Sequence, residues 1–152
     1  MTERVAIASD HAAVALKALL AEHLRGRGCE VIDLGPATEE SVDYPDYGYR
    51  LADTVAAGAA ELGVALCGSG IGISIAVNRH PRCRAALVSE PLSAALARTH
   101  NDANVLCMGA RIVGPDMARA CLDAFLNTAF TGGRHQRRVE KLSFPLLAKE
   151  PA

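Results

Sequence analysis

Val64-Ala65-Leu66-Cys67-Gly68-Ser69-Gly70-Ile71-Gly72 is the stretch that decides the fold of this chain. Four apolar residues without polar alternation read as a strand buried on both faces. A glycine-rich turn follows at once, and residues 72–79 continue as a helix. Working outward, the same strand-then-helix pattern recurs. A strand at 5–8 leads to a helix at 13–25, with Leu16, Leu19, Leu20 and Leu24 at helical spacing and Gly26 and Gly28 ending it. A second strand at 30–34 closes on Gly35-Pro36, and a polar loop at 37–46 leads to a helix near 47–60. Strand four is predicted at 84–89, followed by a helix from Pro91 to about Thr99, and strand five at 105–108. Gly114-Pro115-Asp116 opens the next helix, whose Met117, Cys121, Leu122 and Phe125 form the expected apolar face. Gly132-Gly133 breaks the pattern before a basic segment, a short helix at about 137–142, and an irregular tail from about 144 containing Pro145 and Pro151. Strands separated by helices imply a doubly wound, five-stranded parallel sheet covered on both sides. This is a three-layer αβα sandwich of the Rossmann-like or flavodoxin-like kind.

The chain has 152 residues, half of them apolar and 22% charged, which suits one globular domain spanning 1–152. Sixteen basic against seventeen acidic residues leave a formal charge of −1. That balance gives no general attraction to nucleic acid or to an anionic membrane, so any anion site must be local. The longest uncharged stretch, residues 62–78, is shorter than the ~20 residues that span a bilayer and is interrupted by glycines. The apolar run before Asp10 is too short for a signal-peptide core, and a cytoplasmic protein is expected. Cys29, Cys67, Cys83, Cys107 and Cys121 are odd in number and form no CxxC pair, so neither a zinc site nor a disulfide framework is expected.

Ligands of open α/β sheets bind at the carboxyl ends of the strands. That rule selects Ser9-Asp10-His11, the turn at 67–72, Ser89-Glu90, and Gly109-Ala110-Arg111. The turn's glycines let backbone N–H groups approach a phosphate or a developing oxyanion; the plain alternative is a tight strand-to-helix connection. It is not a P-loop, since no Gly-Lys-Ser/Thr follows, and the GxGxxG spacing is not met. Cys67 stands at the mouth of this turn, where a thiolate would be favoured, whereas the other four cysteines read as small buried hydrophobes. His100 lies in Thr99-His100-Asn101-Asp102, where the plain alternative is a histidine near a helix C-terminus. His11 has a similar alternative at a helix start, and His23 and His80 read as surface positions. Arg134 and Arg138, four apart in a basic run, would share one helix face and could grip a phosphate, or simply face solvent.

Asp10-His11, Asp43-Tyr44-Pro45, Cys67-Gly68-Ser69-Gly70-Ile71-Gly72, Ser89-Glu90-Pro91, His100-Asn101-Asp102, Gly109-Ala110-Arg111 and Gly132-Gly133-Arg134-His135 occur in this order. Together they resemble the sugar-phosphate isomerase family that holds the type B ribose-5-phosphate isomerases and the galactose-6-phosphate isomerase subunits, over roughly residues 5–142. The resemblance implies an aldose–ketose isomerase without cofactor, with ribose 5-phosphate and ribulose 5-phosphate as the preferred pair. It implies that Cys67 moves the proton between C1 and C2 and that His100 helps to open the sugar ring, with Ser69 in the catalytic set. Some members instead use a glutamate just beyond the glycine turn; that place is Ile73 here. Ser9, Asp10 and Asn101 match sugar contacts, and Gly68, Gly70, Ile71 and Gly72 match an anion hole for the enediolate. His11, Arg111, Arg134 and Arg138 match the phosphate-binding set. The family's homodimer, or dimer of dimers, shares each site between chains. Two alternatives stay open: isomerisation of a hexose 6-phosphate such as allose or galactose 6-phosphate, and a non-catalytic phospho-sugar-binding protein.

Overall fold

In the computed structural model, which describes residues 1–143, five strands lie parallel in the order β2-β1-β3-β5-β4. They are β1 (Arg4–Ser9), β2 (Glu30–Asp33), β3 (Leu62–Cys67), β4 (Ala85–Leu87) and β5 (Val105–Gly109). The all-parallel three-layer sandwich is the class the sequence predicts, and the expected tail from about 144 lies outside the described residues. Alternation along β1 sends Val5 and Ile7 to one face and Ala6 and Ala8 to the other, and all four are buried. The first face is covered by α1 (Val14–Gly26), α4 (Pro91–Asn101) and α5 (Pro115–Leu126), with Leu20, Leu24, Leu122 and Phe125 in its core. The second is covered by α2 (Tyr44–Ala56) and α3 (Ile71–Val77), whose Leu51, Val55, Ile73 and Val77 pack on the small residues Ala65, Cys67 and Cys107. A single 3₁₀ turn, Gly133–His135, leads into α6 (Gln136–Leu142).

Several local expectations are corrected. The second helix begins at Tyr44, not near 47, because Pro45 sits in its first turn with φ already helical, and it stops at Ala56 ahead of Gly58, whose φ is 76°. Strand β4 is only three residues long, since it is an edge strand paired with β5 alone. Met117 faces outward; Ala118 takes its place in the buried stripe with Cys121, Leu122 and Phe125. Cys29 is half-buried at the margin of the core rather than inside it. Lys17, unremarked in the sequence, is buried, with its Nζ 2.7 Å from both carboxylate oxygens of Asp33 at the end of β2.

The register brings the strand ends that matter to one edge. Ser9 pairs with Leu66, and Cys67 with Gly109. From β1 the chain crosses through α1 to β2 on one side; from β3 it crosses through α3, on the other face, to β4 on the other side. The crevice between the carboxyl ends of β1 and β3 is therefore the topological switch point, the place where a doubly wound sheet opens to a ligand.

Candidate active site

A cleft of about 320 Å³ occupies this switch point. It is lined by Asp10 and His11 after β1, Cys67, Gly68, Ser69 and Gly72 after β3, Arg111 and Ile112 after β5, and Tyr44 at the start of α2. The turn after β3 rests directly on the end of β5. Gly70 has φ 77°, and a Cβ there would lie 2.7 Å from the Met108 carbonyl carbon; a Cβ on Gly109 would lie 2.4 Å from the carbonyl carbon of Ser69. Only glycine permits that approach at either position. Arg111 N–H donates to Gly68 O (2.9 Å) and Ala110 N–H to Cys67 O (2.9 Å), which ties the two strand ends together.

Cys67 is 3% exposed, and its Sγ accepts the Gly70 N–H at 3.1 Å. Ser69 Oγ in turn accepts the Ile71 N–H at 3.2 Å. Two amides of the expected anion hole are thus engaged by the turn's own side chains in the ligand-free chain. Ile71 points away into a neighbouring apolar cavity with Leu87, Val88 and Ile112. Asp10 is nearly buried and caps the 3₁₀ turn His11–Ala13 by accepting the Ala12 N–H (3.0 Å). Ser9 does not reach the cleft: it is fully buried, and its Oγ donates to Asp10 O (2.9 Å), so it braces Asp10 from behind. His11 Nδ1 lies 3.1 Å from Val42 N and 3.2 Å from Val42 O, accepting from the one or donating to the other according to the tautomer, so the backbone of the long loop anchors the ring through Nδ1 and leaves Nε2 for a ligand.

The remaining expected residues lie elsewhere. Helix α4 runs from the end of β4 back toward the start of β5, so His100 and Asn101, at its C-terminus, sit at the amino edge of the sheet. His100 is in the last helical turn, and Asp102 caps it in the left-handed region (φ 45°). Arg84 Nε donates to Asn101 O (3.1 Å) and Asp102 O (3.0 Å), fixing that corner. Asn101 lines a different cavity, with Asn78, His80 and Arg84. Thr131 donates twice to Thr99 O, from its N–H and its hydroxyl, and so holds the following segment beside His100. The rings of His100 and His135 stack with centroids 4.4 Å apart. Arg134 and Arg138 are exposed on either side of His135. The expected site residues of one chain therefore fall in two clusters, at opposite edges of the sheet.

Residues 5–142 match the family described as Ribose/Galactose Isomerase. The chain belongs to the ribose/galactose isomerase family. It is 45% identical over 141 residues to ribose-5-phosphate isomerase B of Escherichia coli, covering 93% of this chain and 95% of that one. It superposes on a ribose 5-phosphate isomerase from Thermotoga maritima with a TM-score of 0.92 and 47% identity, covering 94% of this chain and 99% of the other. The ribose-5-phosphate isomerase B of Clostridium thermocellum superposes with a TM-score of 0.91 at 46% identity, covering 92% and 95%.

Where some members of the family carry a glutamate this chain has Ile73, a fully buried residue of α3 with no ionisable group, whereas Cys67 borders the cleft. Burial pushes the Cys83 thiol up to about 11. Burial first, and then the neighbouring Cys67, raise Cys107 further still. Burial likewise raises Cys29 and Cys121. These four remain thiols near neutrality. Among the described residues no group of three or more His, Cys, Asp or Glu is placed to hold a metal ion. Two wall residues escaped the sequence reading, Tyr44 and Ile112. Tyr44 carried a signal in Asp43-Tyr44-Pro45, a helix start at the end of the long polar loop; its ring lies so close over Gly72 that a Cβ there would be 2.7 Å from Tyr44 Cζ.

Proposed function

We propose that the chain interconverts ribose 5-phosphate and ribulose 5-phosphate through an enediolate. The observation that carries this reading is the convergence of Cys67, the 68–72 turn, Asp10, His11 and Arg111 on one cleft at the switch point. The similarity to ribose-5-phosphate isomerase B of Escherichia coli supports the same substrate pair. The substrate phosphate sits against His11 and Arg111, with Arg134 and Arg138 completing the clamp, and this fixes the far end of the sugar so that its reacting carbons are aligned. His100 takes the proton of the anomeric hydroxyl and delivers it to the ring oxygen on the same carbon, which opens the furanose to the aldehyde. The Cys67 thiolate removes the C2 proton, and the electron pair moves onto O1. Turn amides and the Ser69 hydroxyl hold the resulting enediolate, one of them released from its present partner as the oxyanion forms. The O2 proton passes to O1, and Cys67 returns its proton to C1. Asp10 and Asn101 hold sugar hydroxyls. Every step uses protein side chains, and none calls on a metal or organic cofactor.

The site is shared between two copies in a homodimer, or in a dimer of dimers. Two features support this. One chain's cleft lacks His100, Asn101, Arg134 and Arg138. Ile71, Ile75, Leu87, Leu92 and Leu96, on α3, β4 and α4, are also exposed, the kind of apolar surface that association covers. As a single-domain enzyme spanning 1–152 it works in the cytoplasm, in the pentose phosphate pathway, without nucleic-acid or membrane partners. No helix among the described residues is long and apolar enough to cross a membrane. The deciding assay is ketose formation from ribose 5-phosphate without added metal, with kcat/KM compared against allose 6-phosphate and galactose 6-phosphate. A higher kcat/KM for either hexose phosphate would reassign the substrate. Tight binding of all three with no turnover would make the protein a sensor.

A further inference from the structure

His135 belongs to no role described so far, yet the chain is shaped to deliver its ring to His100. The segment before it is pinned by the two Thr131 bonds to Thr99 O, one residue ahead of His100. It then reverses through Gly132 and Gly133, at φ 64° and 58°, a backbone conformation that residues with a Cβ rarely adopt. His135 N–H closes the turn on Gly132 O (3.1 Å), and the ring arrives over His100 with an interplanar angle of 16°. The backbone on the far side of His100 is equally fixed, by Arg84 on Asn101 O and Asp102 O and by Arg98 on Ala103 O (2.6 Å). The main chain of His100 is thus held on both sides. Among the described residues the contact made to its ring is a stack and not a hydrogen bond.

That distinction matters to the chemistry. A catalytic histidine is commonly oriented by a hydrogen bond to one ring nitrogen, which then serves only as an anchor. Opening a furanose calls for a proton taken from one oxygen and a proton given to another. Both oxygens are bonded to C1, within reach of one ring nitrogen, and a ring held by its face leaves that nitrogen unanchored. We propose that His135 is a positioning residue, whose stacked ring fixes the His100 imidazole for ring opening without occupying either of its nitrogens. This rests on the isomerase reading above. Desolvation first, and then His100, Arg134 and Arg138, hold the His135 imidazole below its ordinary value. It is therefore a neutral plate near neutrality, and presents no cation to His100.

The test compares His135→Ala, His135→Gln and His135→Phe in the full-length protein, with melting temperature as the check on folding. Loss of the plate in the Ala and Gln variants should lower kcat on ribose 5-phosphate by about 10- to 100-fold, the scale of a misplaced catalytic group, with KM within about threefold of wild type. Solvent-deuterium exchange at C1 of ribulose 5-phosphate should stay within about threefold, because the ketose cannot close through its phosphorylated hydroxyl and needs no ring opening. His135→Phe, which keeps a stacking face without nitrogens, should recover most of the lost kcat. A raised KM with normal kcat would make His135 a phosphate contact and overturn the proposal. So would a Phe variant as slow as Ala, exchange that falls as far as turnover, or no effect in any variant. Wild-type turnover of ribose 5-phosphate is the control: its absence defeats the proposed activity itself, while its presence beside unaffected His135 variants defeats only this inference.

Discussion

Chains carrying Cys67→Ala and chains carrying His100→Asn should each be inactive on ribose 5-phosphate and should regain activity when mixed. The argument starts from the sheet. Cys67 ends β3 at its carboxyl edge, whereas His100 lies by the amino edge, next to the start of β5. The five steps from Leu62 to Cys67 span roughly 16 Å at ~3.3 Å per residue, far beyond the ~3 Å reach of a hydrogen bond. The proposed shared site would join Cys67 of one chain with His100 of the other. In a two-fold dimer containing one chain of each variant, one site holds Cys67 and His100 intact and the other holds neither. Equal mixing with full exchange makes half the dimers mixed, so recovery should approach about one quarter of wild-type activity. Cys67→Ala alone should lose about 10²- to 10⁴-fold in kcat, the usual contribution of a positioned base. His100→Asn alone should keep its melting temperature and its C1 exchange from ribulose 5-phosphate while losing turnover of the cyclic aldose. The assay is ketose formation after incubation under mild denaturant, with native mass spectrometry counting mixed dimers. Mixed dimers without recovered activity would mean that both residues act within one chain, and the shared site would fall. If His100→Asn lowers only the melting temperature, the histidine is a favourable charge at a helix end and nothing more.

Gly109→Ala places a Cβ 2.4 Å from the carbonyl carbon of Ser69, so the turn must move; a destabilisation of about 1–3 kcal/mol is expected, with kcat falling further than that because the displaced segment carries Cys67, and denaturation beside steady-state kinetics reads both. Unchanged kcat would show that the close approach is incidental. Arg111→Ala and Arg134→Ala should each raise KM for ribose 5-phosphate by the loss of a charge-assisted bond, about 1.5–3 kcal/mol, with little effect on unphosphorylated ribose; equal losses on both sugars would point to a fold defect. Glu90 caps α4, and its side-chain bond from the Ser93 N–H holds its carboxyl below the usual range. A depressed value contributes stability above the ordinary glutamate value and loses it as pH falls, so the melting-temperature gap between wild type and Glu90→Gln should close below about pH 4. A gap that persists at lower pH would mean that the charge on Glu90 contributes nothing to the cap.

What the sequence made legible follows from how local each signal is. The run 64–67 into its glycine turn, repeated along the chain, carried the parallel sandwich, because a buried strand and the helix behind it are contiguous. The sequence pattern starts the second helix too late because Tyr44-Pro45 reads as loop, although a proline near a helix start is the stronger signal. Lys17 lies three residues before Leu20, on the same side of α1, and a lysine on an apolar stripe is explained only by Asp33, which no local pattern links to it. The cleft at β1, β3 and β5 was readable because the strand-end rule picks out consecutive residues. His100 was not, since α4 carries it to the opposite edge, and only the resemblance suggested its role. That division is itself informative. On the proposed reading, a carboxyl-edge cluster with a base and part of a phosphate clamp, and an amino-edge cluster with a stacked histidine pair and two arginines, are each half of one reaction. No rotation of side chains within a single sheet joins them. Under the shared-site proposal, association is part of the catalytic machinery: the exposed apolar surface of α3, β4 and α4 determines which two edges meet, and the ring-opening group reaches the base only once it is covered.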